Sequence, residues 1–479
     1  MPTSSTVISD QESASPNILL WLVAIGFFME TLDSTIVNTA LPSMAQALGE
    51  SPLLMQSVVI AYTLTLAVFI PASGWLADKF GTKKVYLAAI VIFTIGSLAC
   101  ALSTNLTELV LARVLQGAGG SMLLPIGRLA VLRAFPGEKF LAALSFVTMP
   151  ALIGPVVGPS LGGYLVEYAS WHWIFLINIP IGVIGCIATW HSMPKDVPAG
   201  TGGFDLTGFV QIALFMVAIL FAFDGLSELD LSHGVVLLLL FLGLASLVSY
   251  ILGASKRANP LFSLSLFKVR TFTIGILGNL FARVGSSGMP FLIPLLLQLS
   301  LGYSPFQAGL TMLPIAIAGI MAKKIVTPMV TRIGYRKFLL INTLLVGLGM
   351  ASFALITPAQ PSYLRVIQLF LFGIVNSMQF TAMNTLTLKD LEKAKASGGN
   401  ALFSMVQMLS LSFAVAVSGA LLSAFMEHFN VHLRPELALN AFHTTFLCMG
   451  GITCTSAWIF WQIPDKMKTR SDQAVSLEE

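Results

Sequence analysis

Along the 479 residues, long apolar runs alternate with short breaks rich in charge, Pro and Gly. A bilayer-crossing helix needs about 20 mostly apolar residues, since hydrocarbon offers its backbone no other hydrogen-bond partners. Runs of that length predict about fourteen spanning helices, at 17–40, 55–77, 84–103, 107–127, 140–166, 171–193, 207–224, 234–254, 271–298, 306–327, 338–357, 362–386, 399–426 and 441–463. The first run is interrupted at FMETLDSTIVN, Phe28 to Asn38, which places Glu30 and Asp33 among apolar residues. A charge at the bilayer centre costs roughly 2.5 to 3.5 kcal/mol on insertion scales, so two acids there call for a purpose. Their i, i+3 spacing puts both on one helical face, directed into a bundle or a water-filled cavity.

Composition agrees with this pattern. Hydrophobic residues make up 56% of the chain and charged residues only 10%, against roughly 25% charged in a soluble domain. Of the 26 Lys and Arg, Arg365 and Arg434 fall on the outer side and Arg113 and Arg283 within helices when the amino terminus is cytoplasmic. The remainder fall on the inner side, as the positive-inside bias requires, and an even helix count keeps both termini there. The net charge of +4 thus reports topology and not a nucleic-acid footprint. The first sixteen residues carry no Lys or Arg, a poor start for a cleaved signal, so the first helix is expected to be retained. Cys100, Cys186, Cys448 and Cys454 lack the spacing of a disulfide framework or a zinc site.

Two short loops repeat. DKFGTKKVYL and TRIGYRKFLL each set a Gly before two cations and an apolar restart; Gly81 lies 63 residues after Ile18, and Gly334 lies 63 after Thr271. Parallel halves of this kind are typical of secondary transporters. The expected organisation is a cytoplasmic tail at 1–16, a six-helix bundle at 17–193, an inserted helix pair with linkers at 194–270, a second six-helix bundle at 271–463 and a cytoplasmic tail at 464–479. Thr331 stands where the first copy has Asp78, so the two loops are not equivalent.

LDSTIVNTALP (Leu32 to Pro42), GWLADKFGTKKVYL (Gly74 to Leu87), LARVLQGAGG (Leu111 to Gly120), GPVVGPSLGG (Gly154 to Gly163) and WHWIFLINIPIG (Trp171 to Gly182) stand in order along the chain. Together with NPLFSLSLFKVRTF and GYSPFQAGLTMLP they resemble the motifs of the major facilitator superfamily, in its fourteen-helix drug:proton antiporter branch. The resemblance implies an all-α polytopic membrane protein with that fold: two pseudo-symmetric six-helix bundles plus two inserted helices. It also implies roles. Asp33 corresponds to the family's proton-linked acid, Glu30 is less typical, and Arg113 is tied to proton transfer. Gly74, Asp78, Gly81, Lys83 and Lys84 correspond to a gating loop. Gly154, Pro155, Gly158, Pro159, Gly162 and Gly163 correspond to an antiporter motif at the contact between halves. His172 replaces an Arg common in the family.

The residues add their own reading. A buried carboxylate near an Arg can take up and release protons as its surroundings alternate. A guanidinium keeps its proton, so Arg113 must find a carboxylate, carbonyls or water. Phe281, Met289, Phe291, Met378, Phe380 and Met383 fall near polar positions on helices 9 and 12, a mixture suited to amphipathic ligands. Asn38, Gln116, Asn279, Arg283, Met289, Asn376, Gln379 and Asn384 are therefore the candidate substrate-cavity residues. GPSLG at Gly158 to Gly162 matches a hydrolase pattern but lacks the strand, turn and helix that chemistry needs. His428 and His432 have a spacing that could hold a metal on a helix, yet an exposed pair is ordinarily solvated.

These readings converge on a transporter and not an enzyme. It is expected to export amphipathic small molecules or drugs across the inner membrane by alternating access, driven by the proton gradient, with no cofactor and no metal, and to act as a monomer in the bilayer. No Walker A pattern is present to suggest ATP as driver. An exporter of an anionic metabolite or metal chelate is the alternative, since Arg113 and Arg283 offset the two acids. A membrane sensor or scaffold that does not transport is the alternative of another class.

Overall fold

The computed structural model describes residues 16–135, 138–194, 203–225, 233–257, 259–391, 393–431 and 434–464, and their regular structure is entirely helical. The first set is α1 (Pro16–Ile36), α2 (Leu41–Leu48), α3 (Gln56–Phe69), α4 (Ser73–Phe80), α5 (Thr82–Leu102), α6 (Leu106–Ala134), α7 (Glu138–Tyr168), α8 (Trp173–Leu176) and α9 (Asn178–Ser192). Next come α10 (Leu206–Gly225) and α11 (His233–Ala254). The last set is α12 (Arg270–Ser286), α13 (Met289–Leu295), α14 (Pro305–Ile333), α15 (Tyr335–Ser352), α16 (Ser362–Leu388), α17 (Lys393–His428), α18 (Ala438–Thr455) and α19 (Ala457–Trp461). Several are parts of one rod: α3 and α4 join through a 3-10 turn at Ile70–Ala72, and α13 runs into a π turn at Leu296–Ser300.

Twelve rods among the described residues are long and apolar enough to cross a membrane. The expected spans at 140–166 and 441–463 lie on α7 and on α18 with α19, which are not among those twelve.

Local chemistry starts and stops these helices. Asn105 caps α6 by accepting from the Glu108 N–H at 2.9 Å, while Glu108 reaches back to the Thr104 N–H at 2.8 Å. Ser304 and Gln307 form a reciprocal capping box at the start of α14. Gly81 (φ 87°, ψ 147°) joins α4 to α5, and Gly334 (φ 79°, ψ 154°) joins α14 to α15. Both lie in a region that side-chain-bearing residues rarely adopt, which explains why the two similar loops each carry Gly.

α5 packs on α6, α1 on α7, α3 on α6, and α5 on α9; likewise α14 packs on α16, α15 on α18, and α12 on α16 and α17. α7 against α14 and α3 against α17 link these two groups. α10 pairs with α11 and also touches α3 and α17. On α11, Leu237, Phe241 and Leu252 are each about two-thirds exposed, an outer face suited to hydrocarbon.

Candidate functional site

Asp33 lies in the last turn of α1 before a 3-10 extension at Val37–Thr39, and its residue surface is 1% exposed. Its Oδ2 accepts from Arg113 Nη1 at 2.7 Å. Its Oδ1 accepts from Gln116 Nε2 at 2.8 Å and from Asn178 Nδ2 at 3.0 Å. The donors come from two elements, α6 and α9, so three helices converge on one carboxylate.

A second set of contacts holds the donors. Arg113 Nη1 also donates to Gln116 Oε1 at 2.6 Å, Arg113 Nε donates to the Val58 carbonyl at 3.3 Å, and the guanidinium lies 4.0 Å over the Tyr62 ring. Gln116 Nε2 and Asn178 Nδ2 both reach Ser97 Oγ, at 2.8 and 3.3 Å. Gly96 makes this possible, because a Cβ there would stand 2.5 Å from the Gln116 backbone and push α5 off α6. A buried ion pair offsets its desolvation only when its other lone pairs and protons are also bonded, and here both Asp33 oxygens, Arg113 Nε and Arg113 Nη1 are bonded. Asn178, Ser97 and Tyr62 were missed as site residues in the sequence; the signal available was that each is a polar group inside an apolar run.

Glu30 is buried on the same face of α1, one turn earlier, but among the described residues no hydrogen bond or ion pair holds it. Its charged neighbours are Asp33 and Arg128, the latter on α6. In the sequence, Arg128 stands just past the expected span 107–127, among the inner-side cations.

The loop residues meet neighbours on their own side of the molecule. Asp78 Oδ1 pairs with Arg133 Nη2 at 2.8 Å, both partly exposed. Lys83 Nζ donates to the Trp190 carbonyl at 2.6 Å, tying α5 to α9, and Lys84 is exposed. Gly81 serves the turn described above, whereas a Cβ at Gly74 would meet nothing within 4 Å, so Gly74 permits no close helix approach here.

The α7 glycines depart from the expected placement. Gly154, Gly158 and Gly162 do not face the opposite bundle; their missing Cβ atoms are matched by Thr31, by Thr35 and by Ile36 with Thr39, all of α1 and its extension. Thr39 Oγ1 donates to the Pro159 carbonyl at 3.2 Å and Thr35 Oγ1 to the Gly154 carbonyl at 3.5 Å. Both stripes repeat every four residues, which is why they mesh along two helices. Gly163 does meet the other group of helices, at the Pro305 carbonyl of α14. Pro155 and Pro159 both lie within the helical run of α7.

Three of the candidate cavity residues come together. A cavity of about 220 Å³ is lined by Arg283, Ser286, Ser287, Pro290, Asn376, Gln379, Phe380, Met383 and Leu411, from α12, α13, α16 and α17. The other candidates do not line it. Gln116 belongs to the Asp33 cluster, Asn38 is buried at the end of α1, and Met289 is 1% exposed. Asn279 Nδ2 donates to the Gly275 carbonyl at 2.9 Å, and Asn384 Oδ1 accepts from Gln407 at 3.0 Å.

The remaining motifs are structural in this chain. Ser160 Oγ donates to the Gly309 carbonyl at 3.3 Å across α7 and α14, in no hydrolase elbow. His172 stacks on Trp171 at 3.8 Å between ring centres. His432 lies outside the described residues, among which no cluster of three potential metal ligands occurs. The four cysteines are unpaired.

A multi-pass helical fold with an ion pair buried inside it is a membrane protein, and its family makes it a transporter and not an enzyme. Residues 23–415 match the model of the Major Facilitator Superfamily, and the chain belongs to that family. It is 49% identical over 458 residues to a protein of Pectobacterium carotovorum subsp. carotovorum (strain PC1) carrying the name multidrug resistance protein MdtD, covering 94% of this chain and 97% of that one. The MdtD-named protein of Escherichia coli O6:K15:H31 (strain 536 / UPEC) is likewise 49% identical, over 95% of this chain and 96% of its own length. Among solved structures, the fold is similar to a D-xylose-proton symporter (TM-score 0.67, 15% identity, 95% and 99% of the two chains). It is similar also to a peptide transporter POT in complex with sulfate (TM-score 0.69, 15% identity, 93% and 94%).

Proposed function

We propose that this protein is a proton-coupled exporter of amphipathic small molecules, an antiporter working by alternating access in the inner membrane with both termini cytoplasmic. The name borne by relatives at 49% identity over nearly the whole chain supports a drug-efflux role. The observation that carries proton coupling is the Asp33 carboxylate, buried midway through an apolar run and held by Arg113, Gln116 and Asn178. In this reading Asp33 accepts a proton in one orientation, which neutralises it and frees Arg113 to keep only its bonds to Gln116 and Val58. It loses the proton in the other orientation, and the ion pair re-forms. Glu30 assists as a second acid on the same face, with Arg128 as its counter-charge. Asp78 with Arg133 holds the cytoplasmic loop in one conformation, and the α1–α7 stripe keeps the first bundle rigid while it moves. The two helix groups act as the rocking bundles and α10 with α11 as an inserted pair.

The test is flux through the reconstituted protein. With a pH gradient imposed on proteoliposomes, movement of an amphipathic substrate, tested with both a cationic dye and benzoate, should be accompanied by counter-movement of protons. Asp33→Asn should reduce both to the rate of empty liposomes while the protein remains inserted. Undiminished proton-driven transport in that variant rejects the assignment.

A further inference from the structure

The cavity beside Arg283 contains an ion without a counter-ion. Nε and Nη1 of Arg283 are buried and have no hydrogen-bond partner. The guanidinium instead lies 4.1 Å over the Phe380 ring. No charged group of the described residues is close enough to act on it, and neither acid of α1 is its neighbour: Asp33 is bonded to Arg113, and the charged groups near Glu30 are Asp33 and Arg128. Its place in the last turn of α12, where helix carbonyls end, gives partial compensation. That leaves Nε and Nη1, on opposite edges of the guanidinium, without an acceptor in a residue that borders a cavity whose lining includes no carboxylate.

The rest of the lining defines what would answer them. Gln379 is fixed, its Oε1 accepting from Asn342 at 2.9 Å and its Nε2 donating to Thr343 at 2.6 Å, so it does not turn toward Arg283 as an acceptor. Ser286, Ser287 and Asn376 supply small polar groups, while Phe380, Pro290, Met383 and Leu411 supply an apolar surface. The volume corresponds to roughly seven waters, room for a single ring bearing one acidic group, and lies below the roughly 300 Å³ at which drug-sized pockets begin.

We infer that this cavity is a recognition site for a compact aromatic monoanion, its carboxylate paired with the Arg283 guanidinium and its ring against Phe380 and Met383. A guanidinium keeps its charge and pairs with a carboxylate through charge-assisted N–H bonds, and its own stacking on Phe380 holds it in place. One cation suits one negative group. A tricarboxylate would bring two further charges into a wall of Phe, Pro, Met and Leu, and a cationic dye would meet like charge. The inference names a substrate class for the transport reading above, and it rests on that reading. Its assay is binding without a gradient, so failure here leaves the Asp33 flux result standing, and the reverse.

The experiment is equilibrium binding of radiolabelled benzoate to the full-length protein in detergent, with benzamide, citrate and tetraphenylphosphonium as competitors. The expected result is saturable benzoate binding displaced by unlabelled benzoate but at least about tenfold less effectively by neutral benzamide, the loss expected when a charge-assisted bond is removed. Citrate and tetraphenylphosphonium should compete less well than benzoate. Arg283→Gln should weaken benzoate binding by about tenfold or more, Arg283→Lys by less, and Phe380→Leu should weaken benzoate more than it weakens acetate. Equal competition by benzamide, stronger competition by citrate or by the cation, or benzoate binding that survives Arg283→Gln would each overturn the inference. The benzamide comparison uses the unmodified protein, so it decides the matter even if a variant does not fold.

Discussion

α1 carries a buried carboxylate and α12 a half-buried guanidinium, and the two charges live under opposite conditions. Asp33 has three donors around it, each held by further contacts. Arg283 has two buried nitrogens without acceptors and a cavity of about 220 Å³ at its side. A buried ion can therefore be accommodated by partners built into the fold or by access to a space where a partner arrives. The first kind is coupled to stability, and the second is not.

That contrast can be broken by measurement. The largest effect should come from Arg113→Ala, which leaves Asp33 buried and uncompensated: a loss of about 3 to 5 kcal/mol, read from denaturant or thermal unfolding in detergent. Combining it with Asp33→Asn should recover much of that loss, because the uncompensated charge is gone; strict additivity would show that the two are not coupled. Asn178→Ala should cost less, about 1.5 to 3 kcal/mol, since it removes one bond to a charged acceptor that keeps two others. Ser97→Ala, one step further out, should cost about 1 kcal/mol, being a neutral partner to Gln116 and Asn178. Arg283→Gln should change stability least, within about 0.5 kcal/mol or in the stabilising direction, because the described residues give it the Phe380 ring as a neighbour but no hydrogen bond or ion pair at Nε and Nη1. A loss for Arg283→Gln as large as that for Arg113→Ala would erase the distinction.

How much of this was legible in the chain varies with the physics. The helices were readable because hydrocarbon permits little else, and apolar runs at their full length mark them. Asp33 and Glu30 were readable because an acid is conspicuous in such a run. Asn178 was not, since a lone amide near a helix start is common and nothing in WHWIFLINIPIG tells that α9 will pack beside α1 and α5. The α7 glycines show the limit differently. Their spacing announced a close neighbour but did not name it, and the expected neighbour across the two bundles was wrong for Gly154, Gly158 and Gly162. The missing clue was present: Thr31, Thr35 and Thr39 repeat with the same interval. The candidate cavity residues were chosen by polarity alone. Polarity does not distinguish an amide that lines a space, such as Asn376, from one that bonds its own helix, such as Asn279.

Where α7 meets α14, two glycines bring the main chains close together. Gly163 faces the Pro305 carbonyl, Gly309 faces the Pro159 carbonyl, and Glu167 accepts from the Phe306 N–H at 3.1 Å. The two contacts leave no room for a side chain at either glycine, so a methyl group at Gly163 or Gly309 would press on a carbonyl of the facing helix and part α7 from α14.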